Sequence, residues 1–393
     1  MGRFLPGQPQ PDTVGRVTDP VDQGGVGVHA THLALPGSPP ASKGRQTMDD
    51  QHKVSFEPVG IEIEVSEDET VLDAAFRQGV MLMHGCKEGQ CSACKSFLID
   101  GDVQMDRYST FALADYESDE GYVLLCRSHA YSDLRIELIN FDEEMIHSGL
   151  PVVTVGTEIV SMADLSRDIT HLVLRIVEGE LRYYPGQYVD IRIPGHDEHR
   201  SFSMAAPASP DGMLEFVIKR YPGGHFSGLL EGGLAAGDKL DVTGPYGTFT
   251  LKASSERRLV FAAGGAGMAP MLALLRQMAD SRNEREVVFY YGARTEADLI
   301  SLEDIAELRG RLPRLTFVPC LSESWPESWP EAATGFVHDV VARHEDSLSS
   351  CDVYLCGPPP MIDAALGLLS EAGVPQEQIH FDKFTITAES GTD

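Results

Sequence analysis

Four cysteines carry the most specific chemistry in this sequence. Cys86, Cys91 and Cys94 fall within GCKEGQCSACKSFL and Cys126 follows in LLCRS, a C-x4-C-x2-C…C spacing. That spacing is the one used by a plant-type [2Fe–2S] site, where three thiolates come from one tight loop and the fourth from a separate strand. Gly85, Gly89, Ser92 and Ala93 keep the loop small enough to wrap an inorganic core. A four-thiolate zinc site is the alternative, but zinc motifs usually pair two C-x2-C knuckles, and one isolated distal cysteine fits them poorly. Disulfides fit less well again, because seven cysteines in 393 residues are few and no secretory signal is present. Transfer of single electrons is the expected chemistry.

A scaffold must hold those sulfurs. From Val54 the chain runs in short β-like segments, and DETVLDAAFRQG then reads as a helix capped by acidic residues ahead of the cysteine loop. This predicts a small β-grasp-like domain over 54–146. Over 152–253, runs such as VVTVGTEIV, HLVLRIV, QYVDIRI and LEFVIKRY, broken by Gly and Pro turns, predict an antiparallel β-barrel. Over 256–393, strand-like RLVFAA, EVVFYYG, RLTFVPC, DVYLCG and IHFDKF alternate with helical MAPMLALLRQMAD, DLISLEDIAELRG, FVHDVVARH and PMIDAALGLLS, which predicts a parallel α/β sheet. Residues 1–47 hold 7 Pro and 8 Gly without an apolar period and are expected to be a disordered leader. Met48, just before the first strand-like run, is an alternative start of translation. No internal repeat is visible.

The net charge of −29 argues against nucleic acid and anionic membrane surfaces as partners. Residues 54–146 contain 6 basic and 20 acidic side chains, so about half of the imbalance lies in the cysteine-bearing quarter. Such a face is either a solubility device or an electrostatic guide toward a basic partner. The 17 residues between Arg258 and Arg276 are uncharged, but they are too short for a span, and Gly264, Gly265, Gly267 and Pro270 read as a strand, a turn and a helix start.

Two further motif groups follow the cysteines. Arg200-Ser201-Phe202-Ser203 is succeeded about twenty residues later by Tyr221-Pro222-Gly223-Gly224-His225-Phe226-Ser227. In that order, ahead of a Gly-rich turn, they resemble the flavin-binding half of the ferredoxin–NADP reductase superfamily, with its R-x-Y-[ST] and G-x-x-S elements. The resemblance implies FAD, with Arg200 on the diphosphate, Ser201, Phe202 and Phe226 along the cofactor, and Ser203 near the reactive ring nitrogen. Gly223, Gly224 and Ser227 would bring backbone and hydroxyl to the same cofactor. Phe202 departs from the motif's Tyr, which keeps stacking and removes a phenolic hydrogen bond. Gly265-Ala266-Gly267-Met268-Ala269-Pro270 resembles the same superfamily's nicotinamide turn, a G-x-G-x-x-P that lacks the third glycine of the usual dinucleotide fingerprint. Cys356-Gly357-Pro358-Pro359-Pro360-Met361 resembles its C-G-P-x-x-M motif, which implies that Cys356 lies near the carbon that gives up hydride. The alternative for Cys356 is a small buried side chain. Arg294 closes a strand where ribose contacts lie in this superfamily. No second basic residue stands beside it and Asp298 follows, so NADH is expected over NADPH. Cys320 and Cys351 read as packing residues, as do Phe381 and Phe384, although either phenylalanine could face the flavin.

All three modules together resemble the reductase component of soluble di-iron monooxygenases, the methane, propane and phenol hydroxylase group. That implies an NADH:acceptor oxidoreductase of the cytoplasm, feeding a separate di-iron hydroxylase through FAD and the cluster, with the short-alkane, propane type favoured on overall resemblance. Benzoate-type dioxygenase reductases share the N-terminal ferredoxin; the phthalate type, with a C-terminal ferredoxin, is excluded by domain order. A ferredoxin-type carrier or redox sensor is the reading from another class, but it would not need the flavin and nicotinamide motifs.

Overall fold

The computed structural model describes residues 51–147, 149–323 and 332–384. The leader expected over 1–47 and the start at Met48 lie outside the described residues.

The first sheet collects β1 (Gln51–Glu57), β2 (Ile61–Ser66), β3 (Lys95–Asp100), β5 (Tyr122–Leu124) and β7 (Leu134–Leu138) in the order β2-β1-β7-β3-β5. Only β1 and β7 run parallel within it. A two-stranded ribbon pairs β4 (Val103–Met105) with β6 (Ser128–Ala130). Helix α1 (Val71–Arg77) lays Val71, Leu72, Ala74, Ala75 and Phe76 into the core. Its cap is Thr70, whose hydroxyl accepts from the Asp73 amide at 3.1 Å, and not the acidic residues expected there. A hydroxyl in extended backbone satisfies an orphan N–H of the first turn, whereas Asp68 and Glu69 fall outside that position. The short α2 (Asp115–Asp119) precedes β5.

The second sheet is antiparallel: β8 (Val153–Ser166), β9 (Ile169–Glu178), β10 (Tyr188–Arg192), β11 (His199–Ser203), β12 (Met213–Lys219) and β13 (Lys239–Tyr246), ordered β11-β10-β13-β8-β9-β12. An antiparallel bridge between Met204 and Phe216 joins its two outer strands. The one-turn α3 (His225–Gly228) lies between β12 and β13.

The third sheet is parallel throughout, in the order β17-β16-β15-β14-β18-β19. Its strands are β14 (Arg258–Gly264), β15 (Val287–Ala293), β16 (Leu315–Leu321), β17 (Ala333–Thr334), β18 (Cys351–Gly357) and β19 (Ile379–Lys383). One core cluster packs it against α4 (Met268–Asp280) and α5 (Leu302–Arg311), and another against α6 (Val337–His344) and α7 (Pro359–Glu371). Burial on both faces explains why these strands read as continuous apolar runs rather than alternating ones. The uncharged run after Arg258 is β14, a tight turn and α4, and no helix among the described residues is long and apolar enough to cross a membrane. The helix expected from Asp298 begins only at Leu302, because Leu299 and Ile300 turn into the core and Ser301 adopts φ 55°. Cys320 and Cys351 are buried packing residues.

Candidate functional site

The cysteine loop is shaped around sulfur. Lys87 (φ 58°) and Gly89 (φ 69°) are both left-handed, and the loop turns its amides inward: Glu88 and Gln90 donate to the Cys86 Sγ at 3.4 and 3.2 Å, and Cys86 donates to the Cys91 Sγ at 3.4 Å. A Cβ on Gly89 would lie 2.9 Å from Tyr108 and from Arg127, and one on Gly85 would lie 3.0 Å from the Cys91 sulfur. Cys94 and Cys126 bring their sulfurs to 3.3 Å. Hydrogen bonding from the Cys91 thiol, then from three backbone amides, draws the Cys86 thiol down to about 5. The four sulfurs thus stand as two pairs. Zinc needs all four on one ion, and among the described residues no three such ligands converge on a single-ion site. One pair per iron suits a dinuclear cluster, so the residues fit [2Fe–2S].

Residues flanking Cys86 fasten this loop to the second sheet. The Lys87 ammonium pairs with the buried Asp190 of β10 and stands 3.4 Å over the Tyr246 ring centre. The His84 Nε2 accepts from the Gly247 amide at 3.2 Å while its Nδ1 donates to the Leu82 carbonyl at 2.7 Å, which assigns the neutral ring; burial lowers its pKa to about 4. Phe76, Tyr188 and Tyr246 complete the aromatic seam.

On β11, alternation sends Arg200 and Phe202 to one side and Ser201 and Ser203 to the other. Arg200 donates to the His199 carbonyl at 2.8 Å and to Glu198 at 2.9 Å, so its fork is held at the sheet edge but already partly engaged. Phe202 packs on Phe226, ring centres 4.9 Å apart. Ser201 donates to Asp190 at 2.6 Å, toward the seam with the cysteine loop. Gly223 has φ 78°, and Ser227 accepts from the Tyr221 amide at 2.8 Å, so its hydroxyl closes its own turn. Gly224 has room for little more, since a Cβ there would meet that hydroxyl at 3.2 Å. Ser203 donates to Asp382 at 3.3 Å.

In the third sheet, Gly265 (φ 57°), Ala266 and Gly267 form the turn that opens α4, and a Cβ on Gly267 would collide with the Cys356 carbonyl. This close crossing sets the turn against the end of β18 with no side chain between them. Met268 is wholly buried and offers only its backbone. Gly357 (φ 147°) and Pro358 carry the chain into α7. Cys356 is fully buried, and burial pushes its thiol well up; its neighbour in register on β19 is Asp382. Arg294 lies 3.3 Å from Asp298 and 3.9 Å from Asp168, so its charge is already balanced. Phe384 packs against the core as expected, whereas Phe381 is half exposed, since it sits at the edge strand.

The structure therefore unites Ser203, Cys356 and Asp382 between the second and third sheets. Asp382 is a site residue that the motifs did not identify; desolvation raises its carboxyl to about 6, opposed by the Ser203 hydrogen bond. The signal available was a carboxylate inside the strand-like run IHFDKF, just as Asp190 interrupts QYVDIRI.

Residues 54–131 match the family described as the 2Fe-2S iron-sulfur cluster binding domain, 157–251 the oxidoreductase FAD-binding domain, and 261–366 the oxidoreductase NAD-binding domain. The chain is 55% identical over 342 residues to the propane 2-monooxygenase reductase component of Mycolicibacterium goodii, a match covering 86% of this chain and 98% of that one. The chain belongs to the family of monooxygenase reductase components. The corresponding protein of Rhodococcus jostii (strain RHA1) is 54% identical over 348 residues, 88% of this chain and 94% of that one. Among solved structures, the Amycolatopsis cytochrome P450 reductase GcoB aligns with a TM-score of 0.78 at 30% identity, covering 86% of this chain and all of that one. This family member is an oxidoreductase with binding domains for FAD, NAD and a [2Fe–2S] cluster.

Proposed function

We propose that this chain takes electron pairs from NADH and delivers them singly to the hydroxylase of a di-iron monooxygenase that acts on a short alkane such as propane. The observation that supports this most is the match over nearly the full length of a propane 2-monooxygenase reductase component, with all three domains in the same chain. Bound FAD accepts a hydride and can part with one electron at a time, which lets a two-electron donor serve a one-electron cluster. The chain's own part is to position and to exclude water. In this reading Arg200, Ser201, Phe202, Ser203, Gly223, Gly224, Phe226 and Ser227 hold the flavin, and Ser203 with Asp382 can hold a proton beside it. Gly265, Ala266, Gly267, Met268, Arg294, Gly357 and Pro358 hold the dinucleotide, while Cys356 floors the place of hydride transfer. Cys86 and Cys91 would bind one iron, Cys94 and Cys126 the other.

The modules are read as 54–146, 152–253 and 256–393. The first sheet with α1 suits a β-grasp ferredoxin, and the second, closed by the Met204–Phe216 bridge, suits an antiparallel barrel. NADH supply and seven cysteines outside any disulfide, four of them read as cluster ligands, suit the cytoplasm. Arg294 is already paired with Asp298 and Asp168, which favours NADH over NADPH.

Anaerobic titration with NADH, repeated with NADPH, tests the reading. Near-stoichiometric bleaching of the flavin and cluster bands by NADH is expected; no response from either band would leave a carrier or sensor. Arg200→Ala should loosen the flavin with the cluster band intact, and unchanged flavin content after dialysis would remove Arg200 from the site.

A further inference from the structure

The cluster loop has two sides, and only one of them is covered. On the inner side, His84 and Lys87 bind Gly247 and Asp190 of the flavin module. On the outer side, Glu88 and Gln90 line an open depression with Arg107, Tyr108, Ser109 and Arg127. The outer side is therefore the face of the loop left open to a partner.

A single turn stands at the rim of that depression. Its start is tied to the cluster loop, because the Ser109 amide donates to the Gly89 carbonyl at 2.9 Å. Ala112 and Leu113 return amide hydrogen bonds to the Ser109 carbonyl at 2.9 and 3.2 Å, and both are fully buried. Between these anchors Phe111 is 98% exposed. A large apolar ring fixed in solvent on a pinned turn has little backbone entropy left to lose on binding, and aromatic anchors of this kind dominate protein interfaces. Tyr116, on the helix that follows, is 66% exposed. Around them Glu88, Asp115, Asp119 and Glu120 are exposed, and Asp106 neutralises Arg127 at 3.3 Å; Arg107 is the one exposed basic residue of the depression.

We propose that Phe111 is the anchor by which the electron-accepting protein docks over the outer side of the cluster loop. The matching partner surface is an apolar socket within a basic surround: the socket takes the Phe111 ring, and the surround answers the acidic rim and speeds encounter. The proposal deepens the reading above, since it assumes that a separate hydroxylase receives the electrons.

The test compares wild type with Phe111→Ala, Phe111→Asp and Phe111→Trp, using NADH as donor. One arm uses ferricyanide, a small acceptor that needs no docking; the other varies the concentration of the di-iron hydroxylase from the same cells. Loss of the Phe111 ring should raise the KM for hydroxylase about tenfold or more, with Asp worse than Ala and Trp near wild type. Ferricyanide turnover and the visible bands should stay within about twofold, because the side chain packs on nothing in the free protein. Equal hydroxylase KM values across the series, with wild type active, would overturn the anchor alone. A wild type that reduces ferricyanide but never the hydroxylase would overturn the assignment of partner, and the anchor with it.

Discussion

Two seams divide this molecule, and they are made of different materials. Between the second and third sheets the apolar core is shared: Ile169, Ala205, Val217 and Phe249 belong to the same cluster as α4 and the strands of the third sheet. Polar contacts reinforce it, with Arg276 reaching the Ala205 carbonyl at 3.0 Å and Glu215 at 2.9 Å. Between the cluster loop and the second sheet the contact is narrower, a buried Lys87–Asp190 pair set among Phe76, His84, Tyr188 and Tyr246. Hydride transfer needs two rings held in register, whereas a single electron tolerates looser geometry. On the proposed reading, the broad shared core sits where the tolerance is smallest.

If that contrast is right, the narrow seam should depend most on one residue. Asp190→Ala strands the Lys87 ammonium in a buried site, which costs about 3–5 kcal/mol. Urea unfolding followed by the cluster band should show that loss, while NADH-driven ferricyanide reduction persists; an unchanged midpoint would show that the aromatic rings alone hold the seam. Glu215 sharpens the other side. Its pKa is lowered to about 2, first by the His171 imidazole at 3.6 Å and then by the Arg276 guanidinium. A depressed carboxylate pKa contributes stability above its unfolded value of about 4.5 and loses it as pH falls toward 2. That difference is worth on the order of 3 kcal/mol. Glu215→Gln should therefore be less stable than wild type at neutral pH, and the gap should close on acidification below about 4.5. A gap independent of pH would mean that packing, not charge, joins these modules.

Asp382 bears on rate as well as on stability. Its carboxyl is raised to about 6 by burial, so the stability of its neutral form is present below the unfolded value and is lost as pH rises through about 6. Stopped-flow flavin reduction by NADH should change across pH 6 in wild type and flatten in Asp382→Asn. Identical profiles would remove Asp382 from proton handling. The smallest change is expected for Phe202→Tyr, which restores the superfamily's residue while keeping the ring against Phe226. Flavin affinity should move by less than about 1 kcal/mol, as measured by equilibrium dialysis. A larger shift would show that the missing hydroxyl matters.

Much of this plan was legible in the chain. The cysteine spacings and the turn after β14 are local: their residues are neighbours in sequence, and the geometry they need can be met only by certain residue types at fixed intervals. The parallel sheet was legible because burial on both faces leaves long apolar runs. What escaped reading lies in pairs far apart. Lys87 meets Asp190 across 103 positions, and Ser203 meets Asp382 across 179. No periodicity links such residues, and their only local trace is a carboxylate within an apolar strand. The cap of α1 differs from the reading for the opposite reason, since five capping or acidic residues, Ser66 to Thr70, compete within a few positions and only the backbone conformation at Thr70 selects one.

The narrow seam also has a bearing on how the protein is put together in the cell. Lys87 and His84 flank Cys86, so the loop that presents its sulfur also carries the contacts to Asp190 and Gly247. Iron insertion and closure of the seam are thus linked equilibria, each favouring the other by the same amount. Removing the iron should accordingly loosen the contact of the cysteine loop with the second sheet.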